Sequence, residues 1–388
     1  MEPASSEPGP RPALPRSVTI LLALAGAAVV AFGLGAMRGI VTPVFFAFVL
    51  TLCVHPLRRW MQGRGIPRGI ATGTTIAAVF GLLTAFAAVL IASLAQFSAL
   101  LPQYAPQIQQ LGATISNALE SIGFGPQQAQ EVLNGFTPGR IIGFLGGLLG
   151  NIASLVTSLV IILTMLILMA IDGSRVPVIL THLNFHRPAL VAAFDVFGTG
   201  VRRYMVATTV LGVAQGIFNW LVLVILQVPG ALLWGLLSFI CSFIPNIGYF
   251  IAIVPPLFFG FLTGGWTTVV AIIVIYGGIN SVIQSIIQPK YVGSAVSLSE
   301  TLTFVSVLFW AVVLGPVGAI LAVPLTLFVR AILLDSDPAL AWWRPLTGDR
   351  TDVQLLLKQE DEAIRSRRGR PRRDRPDTTT GAGTAPTA

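Results

Sequence analysis

Asn280, Gln284 and Gln288 recur every four residues, which sets three carboxamides on one face of a helix. A carboxamide offers two N–H donors and a carbonyl acceptor without carrying charge, so such a stripe suits the handling of a polar solute or an ion. Hydrogen bonding between neighbouring helices would explain the same stripe. Asn246 contributes a further amide inside Pro245-Asn246-Ile247-Gly248. Lys290 and Glu300 are the only charged residues among the 126 from Tyr204 to Val329. A charge in the hydrocarbon core costs about 2.5 to 3.5 kcal/mol even on insertion scales, which makes isolated charges candidates for function. The candidate transport path or gate is therefore Asn246, Asn280, Gln284, Gln288, Lys290 and Glu300, with the last two as a polar gate or coupling pair. A purely structural reading competes for that pair. Ser297-Leu298-Ser299-Glu300 has capping-box spacing, and Lys290 stands just past a helix end, where a cation is favoured.

Other chemistries are poorly supplied. A nucleotide-cradling loop needs Gly-Lys-Ser/Thr, and neither Lys290 nor Lys358, the only lysines, has those neighbours. His182 and His186 have the i, i+4 spacing of metal ligands, but Leu183, Asn184 and Phe185 lie between them and Pro188 follows, which reads as a loop at the membrane surface. No metal site is expected. The acids, histidines and Ser/Lys pairs of a membrane enzyme are missing around Glu300, so no enzymatic activity and no cofactor are expected. Residues 365–375 hold seven arginines against Asp374 without interleaved aromatics, which suits anionic membrane lipid rather than nucleic acid.

The elements that carry these residues are apolar. Charged residues make up 10% of the 388, and mean hydropathy is +0.81. A soluble domain has about 25% charged residues, so the composition describes an all-α polytopic membrane protein. Runs at Val18–Met37, Ile40–Val54, Gly69–Leu100, Ile141–Ile171, Tyr204–Val228, Ala231–Phe261, Gly265–Gln288 and Thr301–Val329 predict about eight transmembrane helices. Arg58, Arg59, Arg64 and Arg68 follow the second run, and Arg175, Arg187, Arg202 and Arg203 follow the fourth. Arginine-rich loops mark the cytoplasmic side, so both termini are expected there, with Lys290 and Glu300 at the extracytoplasmic mouth.

The resulting organisation is a cytoplasmic tail (1–16), helices one to three (17–100), an extracytoplasmic amphipathic segment (101–140), helices four to eight (141–334) and a basic, largely disordered tail (335–388). Tyr104, Ile108, Leu111, Ile115, Leu119 and Ile122 draw one apolar stripe along the extracytoplasmic segment, which suits a helix lying on the membrane or packed on a neighbouring subunit. Pro188–Arg203 reads as a cytoplasmic interfacial helix feeding the fifth span.

The carboxyl half is also interrupted, at Pro245, Gly248, Pro255-Pro256, Gly264-Gly265, Pro289, Gly293, Gly315, Gly318 and Pro324. Proline removes a donor that hydrocarbon cannot replace, so irregular backbone at depth survives only where it is buried or lines a cavity. Gly264-Gly265 reads as an ordinary loop.

Three of these interrupted segments resemble a known family. Ile244-Pro245-Asn246-Ile247-Gly248, Ile287-Gln288-Pro289-Lys290-Tyr291-Val292-Gly293 and Leu314-Gly315-Pro316-Val317-Gly318-Ala319-Ile320-Leu321-Ala322-Val323-Pro324-Leu325 are similar to the carboxyl-half motifs of the autoinducer-2 exporter family, the PerM-type permeases. The resemblance implies an eight-span permease of the bacterial inner membrane, a homo-oligomer, and export of autoinducer-2 or sodium/proton antiport. The chain departs from the pattern after Gly293, reading Leu298-Ser299-Glu300 where many members have a Leu-His-Pro-like sequence. Two readings follow. One is a secondary transporter moving a small polar solute or exchanging ions. The other is a non-transporting scaffold that organises partners through its surface helix and basic tail.

Overall fold

The structure is a computed structural model that describes residues 15–121, 143, 152–173, 175–288 and 298–337, and every regular element among them is helical. Helices α1 (Arg16–Ala36) and α2 (Arg38–Gly63) meet at Met37. The second apolar run, only 15 residues in the sequence, lies inside a helix of 26 that continues through Pro43 and Pro56 to the arginines. Helix α3 (Arg68–Leu100) passes through a 3-10 turn (Leu101–Tyr104) into the amphipathic α4 (Ala105–Ser121), whose Ile108 is buried. Ile122, at the end of the predicted stripe, lies outside the described residues.

One sequence expectation fails in the next segment. After α5 (Ile152–Asp172), His182 and His186 stand on a helix, α6 (Val176–His186), and not in a loop. Pro177 falls in the first turn of α6, where a missing N–H costs nothing, and Pro188 opens the following helix. That helix, α7 (Pro188–Ile225), runs 38 residues without a break, so the interfacial segment 188–203 and the fifth span are one element.

The sixth run is a hairpin where one span was expected. Helix α8 (Ala231–Cys241) ends after 11 residues, about 16 Å, and a turn through 242–247 leads into α9 (Gly248–Ser281). Trp234 near the start of α8 stacks on Phe259 of α9 at 5.8 Å, while Gly248 abuts the Cys241 carbonyl. The two helices are thus antiparallel. Gly265, at φ 60° and ψ −154°, then turns α9 back on itself, in keeping with the loop expected at Gly264-Gly265. Tyr249 of the first arm reaches Gly277 of the second, its hydroxyl 3.5 Å from the position a Cβ there would take. The second arm ends in a widened π-helical turn, Val282–Ile287. Among the described residues, six helical stretches are long and apolar enough to cross a membrane, the folded α9 counted as one, with two shorter apolar helices beside them.

This fold-back reverses the direction of everything downstream. A Cβ on Gly260 would lie 3.8 Å from Val228 Cγ2, and Asn280 bonds Gln215, so the second arm runs from the carboxyl end of α7 towards its arginine-bearing amino-terminal half. Gln288 therefore lies at the end opposite the Val228 turn, whereas the straight-span reading puts both ends of that stretch on one side. Leu298, at the foot of the next helix, belongs to the apolar cluster that contains Tyr204 and Phe243.

Helix α10 (Glu300–Leu314) closes at Gly315, whose φ of 79° only glycine adopts without strain, and α11 (Pro316–Ile320) and α12 (Ala322–Arg330) fold back along it. Trp310 Nε1 donates to Thr326 Oγ1 at 3.0 Å across this second hairpin. A π-helical turn (Ala331–Asp335) follows, bringing Asp335 3.3 Å from the buried Arg330. Pro324 was expected to break a helix, but it sits in the first turn of α12, and Pro255-Pro256 lie inside a continuous first arm of α9. Pro289 and Gly293 lie outside the described residues.

Three apolar clusters hold the described pieces, the smallest joining Ala47 of α2 to Ile162 and Leu166 of α5. Of the larger two, one joins α2, the amino-terminal half of α7, the α8–α9 turn and α10–α12. The other joins Phe97 and Leu101 to Leu223, Trp234, Phe259 and Tyr276 at the feet of the first hairpin.

Candidate functional site

Between these clusters, where α7, α8 and the second arm of α9 meet, the protein buries polar groups. Gln215 and Asn219 of α7, Ser238 of α8 and Tyr276 of α9 are all at most 5% exposed. The close approach depends on glycine. A Cβ on Gly216 would lie 2.9 Å from the Gly235 carbonyl oxygen, and one on Gly235 would lie 2.7 Å from the Trp220 Cβ, so the α7 and α8 backbones touch along this seam. Backbone contact of this kind, with polar side chains bridging the helices, is how membrane helices associate without a hydrophobic drive.

Only part of the polar capacity is used. Asn219 Nδ2 donates to Ser238 Oγ at 3.1 Å, and that hydroxyl donates to the Trp234 carbonyl at 2.9 Å. Gln215 Nε2 donates to Asn280 Oδ1 at a long 3.4 Å. Asn219 Oδ1 is buried with no partner, and the Tyr276 hydroxyl, although it faces Ser238, forms no hydrogen bond of good geometry. A buried acceptor left unpaired costs about 1 to 3 kcal/mol, so these groups weaken the resting fold. They are neutral, and they present an acceptor and a hydroxyl to the same junction.

The sequence-derived residues fall into three places. Asn280 joins the junction through Gln215, and the half-buried Gln284 and Gln288 continue from it along the π-helical turn. Turns of this kind interrupt helices at functional sites more often than elsewhere. Asn246 is elsewhere, exposed at the tip of the first hairpin with φ 64°, a conformation asparagine tolerates. Gly248 beside it cannot carry a Cβ because the Cys241 carbonyl occupies that position, and Gly318 is excluded by the Trp310 carbonyl in the same way. Glu300 is exposed. The expected capping box is corrected here: Ser299, not Ser297, caps α10, accepting from Leu302 N at 3.2 Å, which makes Glu300 the first helical residue and not the third. Lys290 lies outside the described residues.

Sequence reasoning missed Gln215, Asn219, Ser238 and Tyr276. Gln215 and Asn219 were visible as an i, i+4 amide pair in the fifth span, the same spacing that drew attention to Asn280, Gln284 and Gln288. Nothing in the sequence indicated that the two stripes face each other.

A many-helix apolar chain with folded-back carboxyl-half hairpins and a buried amide junction has relatives. The family model described as AI-2E family transporter matches residues 18–336. The chain belongs to the AI-2E family. It is a membrane transporter by that membership, and 26% of 307 aligned residues are identical to the putative transport protein YhhT of Escherichia coli K12, covering 79% of this chain and 88% of the relative. A second relative, the AI-2 transport protein TqsA of the same organism, is 26% identical over 314 residues, 81% of this chain and 91% of its own. A putative transport protein of Haemophilus influenzae is 28% identical over 340 residues, 86% and 97% of the two chains.

Proposed function

We propose that this chain is a secondary transporter of the bacterial inner membrane that exports a small polar solute or exchanges ions along the junction of α7, α8 and the second arm of α9. The observation that carries the reading is the buried amide junction, where Asn219 Oδ1 and the Tyr276 hydroxyl stay unpartnered within an apolar chain. Such groups are retained at a cost unless another conformation or a bound cargo pairs them. Cargo entering from the arginine-bearing end would meet Gln288 and Gln284, then the Gln215–Asn280 pair, then Asn219 and Tyr276. Amide and hydroxyl groups supply both donors and acceptors, which suits a neutral hydroxylated solute, and a cluster of carbonyl oxygens suits a cation. Motion would come from the two hairpins, whose glycine-mediated contacts leave few interlocked side chains, and no nucleotide site in the sequence supplies energy. Both termini lie in the cytoplasm and the chain assembles with copies of itself in this reading.

Purified protein in liposomes, loaded against imposed sodium and proton gradients and against labelled autoinducer-2, the solute named for one relative, tests the proposal. Flux above empty liposomes that falls on substitution of Asn219 supports it. A folded protein that moves nothing under any gradient defeats it.

A further inference from the structure

The carboxyl ends of α2 and α5 and the amino-terminal half of α7 meet in a second polar cluster, separate from the amide junction. Pro56 has no N–H, so the Leu52 carbonyl one turn earlier in α2 lacks its helical donor. Arg202 Nε of α7 fills the gap at 3.0 Å, which draws its guanidinium inwards and leaves its remaining N–H groups for another acceptor. Arg58, one half-turn beyond Pro56, lies over the carboxyl end of α5, with Nη1 3.7 Å from the position of a Cβ on Gly173. Its Nε is buried and without a partner. Arg58, Arg59 and Arg202 all act electrostatically on His55, and no carboxylate does. Among the described residues, neither Asp172 at the end of α5 nor Asp195 on α7 comes within ion-pair distance, 4.0 Å, of any of the three.

Three guanidiniums without a counter-charge, one of them with a desolvated donor, form an unfavourable arrangement until an oxyanion occupies it. Membrane orientation depends on how many arginines a loop carries and does not require shielding a guanidinium N–H from solvent, so the positive-inside rule leaves the Arg58 geometry unexplained. A capping role for Arg58 on α5 is also unsupported, because it forms no hydrogen bond with the carbonyls there. We infer that Arg58, Arg59 and Arg202, near His55 of the same helix turn, hold a phosphate group at the junction of α2, α5 and α7. The fork of N–H groups on each arginine matches phosphate oxygens in pairs. The same chemistry serves an anionic phospholipid headgroup or a soluble phosphate, and the test separates them.

The full chain is delipidated in detergent, and thermal unfolding is followed in nanodiscs of phosphatidylglycerol or phosphatidylcholine, and in detergent with inorganic phosphate against equal ionic strength of chloride. The expected result is a midpoint several degrees higher in phosphatidylglycerol than in phosphatidylcholine, with at least half of that difference lost in Arg58→Gln and in the solvent-exposed Arg59→Gln. Arg59→Gln carries the test if Arg58→Gln does not fold. Arg64→Gln, whose guanidinium instead stacks on Trp60 at 3.7 Å, should keep the full difference. A response to phosphatidylglycerol alone assigns the site to a headgroup, and a response to inorganic phosphate as well assigns it to a soluble phosphate. No response to either, or an equal loss in Arg64→Gln, overturns the inference.

Discussion

Replacing Asn219 by alanine separates what its amide does for the fold from what it does for transport. In the structure the side chain makes one hydrogen bond, 3.1 Å to Ser238 Oγ, and leaves Oδ1 unpaired. An interhelical bond in a membrane protein contributes about 0.6 kcal/mol on average, and about 1.7 at most. Removing the unpaired acceptor recovers about 1 to 3 kcal/mol. Ser238 keeps its bond to the Trp234 carbonyl, so the substitution leaves no new orphan. The small cavity left by the amide offsets part of the gain, and the balance lies within about 1 kcal/mol of wild type on either side. If Oδ1 accepts a hydrogen bond from cargo in the state that limits flux, transport falls at least about tenfold, equivalent to about 1.4 kcal/mol. Thermal unfolding in detergent and initial flux in proteoliposomes measure the two quantities on the same preparation. Wild-type flux from a stable Asn219→Ala protein would refute the argument, because the unpaired amide would then have no part in transport. Flux and stability falling together by several kcal/mol would show that the amide is structural.

The remaining expectations address the hairpins and Glu300. In a background with Cys53 and Cys241 replaced, Glu300→Cys should react with a membrane-impermeant thiol reagent from the same side as Arg64→Cys, and Gln227→Cys from the other; labelling of 227 and 300 from one side would restore the straight-span topology. Gly248→Ala should destabilise the protein by about 1 to 3 kcal/mol, read as a lowered unfolding midpoint, because the new methyl meets a backbone carbonyl that cannot rotate away. Glu300→Gln removes an exposed charge from the first turn of α10 and should lower stability by at most about 1 kcal/mol while leaving the rate and pH dependence of flux unchanged. A displaced pH profile in that variant would assign Glu300 to proton coupling.

The helical membrane fold was legible because apolar runs of 20 or more residues need no tertiary information. The limits of α8 were not. Ala231–Phe261 is uncharged throughout, with Ser238, Ser242 and Asn246 as scattered polar residues, and apolar periodicity cannot tell a single crossing from a hairpin whose turn carries no charge. Pro245-Asn246 marked the break, but its angle is set by Gly248 against the Cys241 carbonyl and by α7 alongside, both tertiary facts. That one difference in direction separates the end of α7 at which the fold-back leaves Glu300 from the end the straight-span reading gives it. The site shows the same division. Asn280, Gln284 and Gln288 announced themselves by spacing, whereas Ser238 and Tyr276, one hydroxyl each in apolar stretches, acquire meaning only when α8 is laid against α7. The choice between Ser297 and Ser299 as the cap of α10 rests on backbone conformation, which spacing does not reveal: Ser299 is extended, at φ −66° and ψ 153°, and its hydroxyl is the one that reaches Leu302 N.

The shortness of α8 has a consequence for how the chain is made. A helix of eleven mostly apolar residues ending in a turn cannot hold a place in the bilayer alone, since the carbonyl and amide groups of 242–247 would face hydrocarbon. While the ribosome is still adding α9, the growing chain offers the insertion machinery a long apolar stretch that reads as an ordinary crossing. The hairpin can settle only after α7 is in place to receive Gly235 and Ser238, and after the first arm of α9 has emerged to complete it. In the folded protein α8 therefore holds its place in the membrane only through its neighbours, α7 on one side and the first arm of α9 on the other.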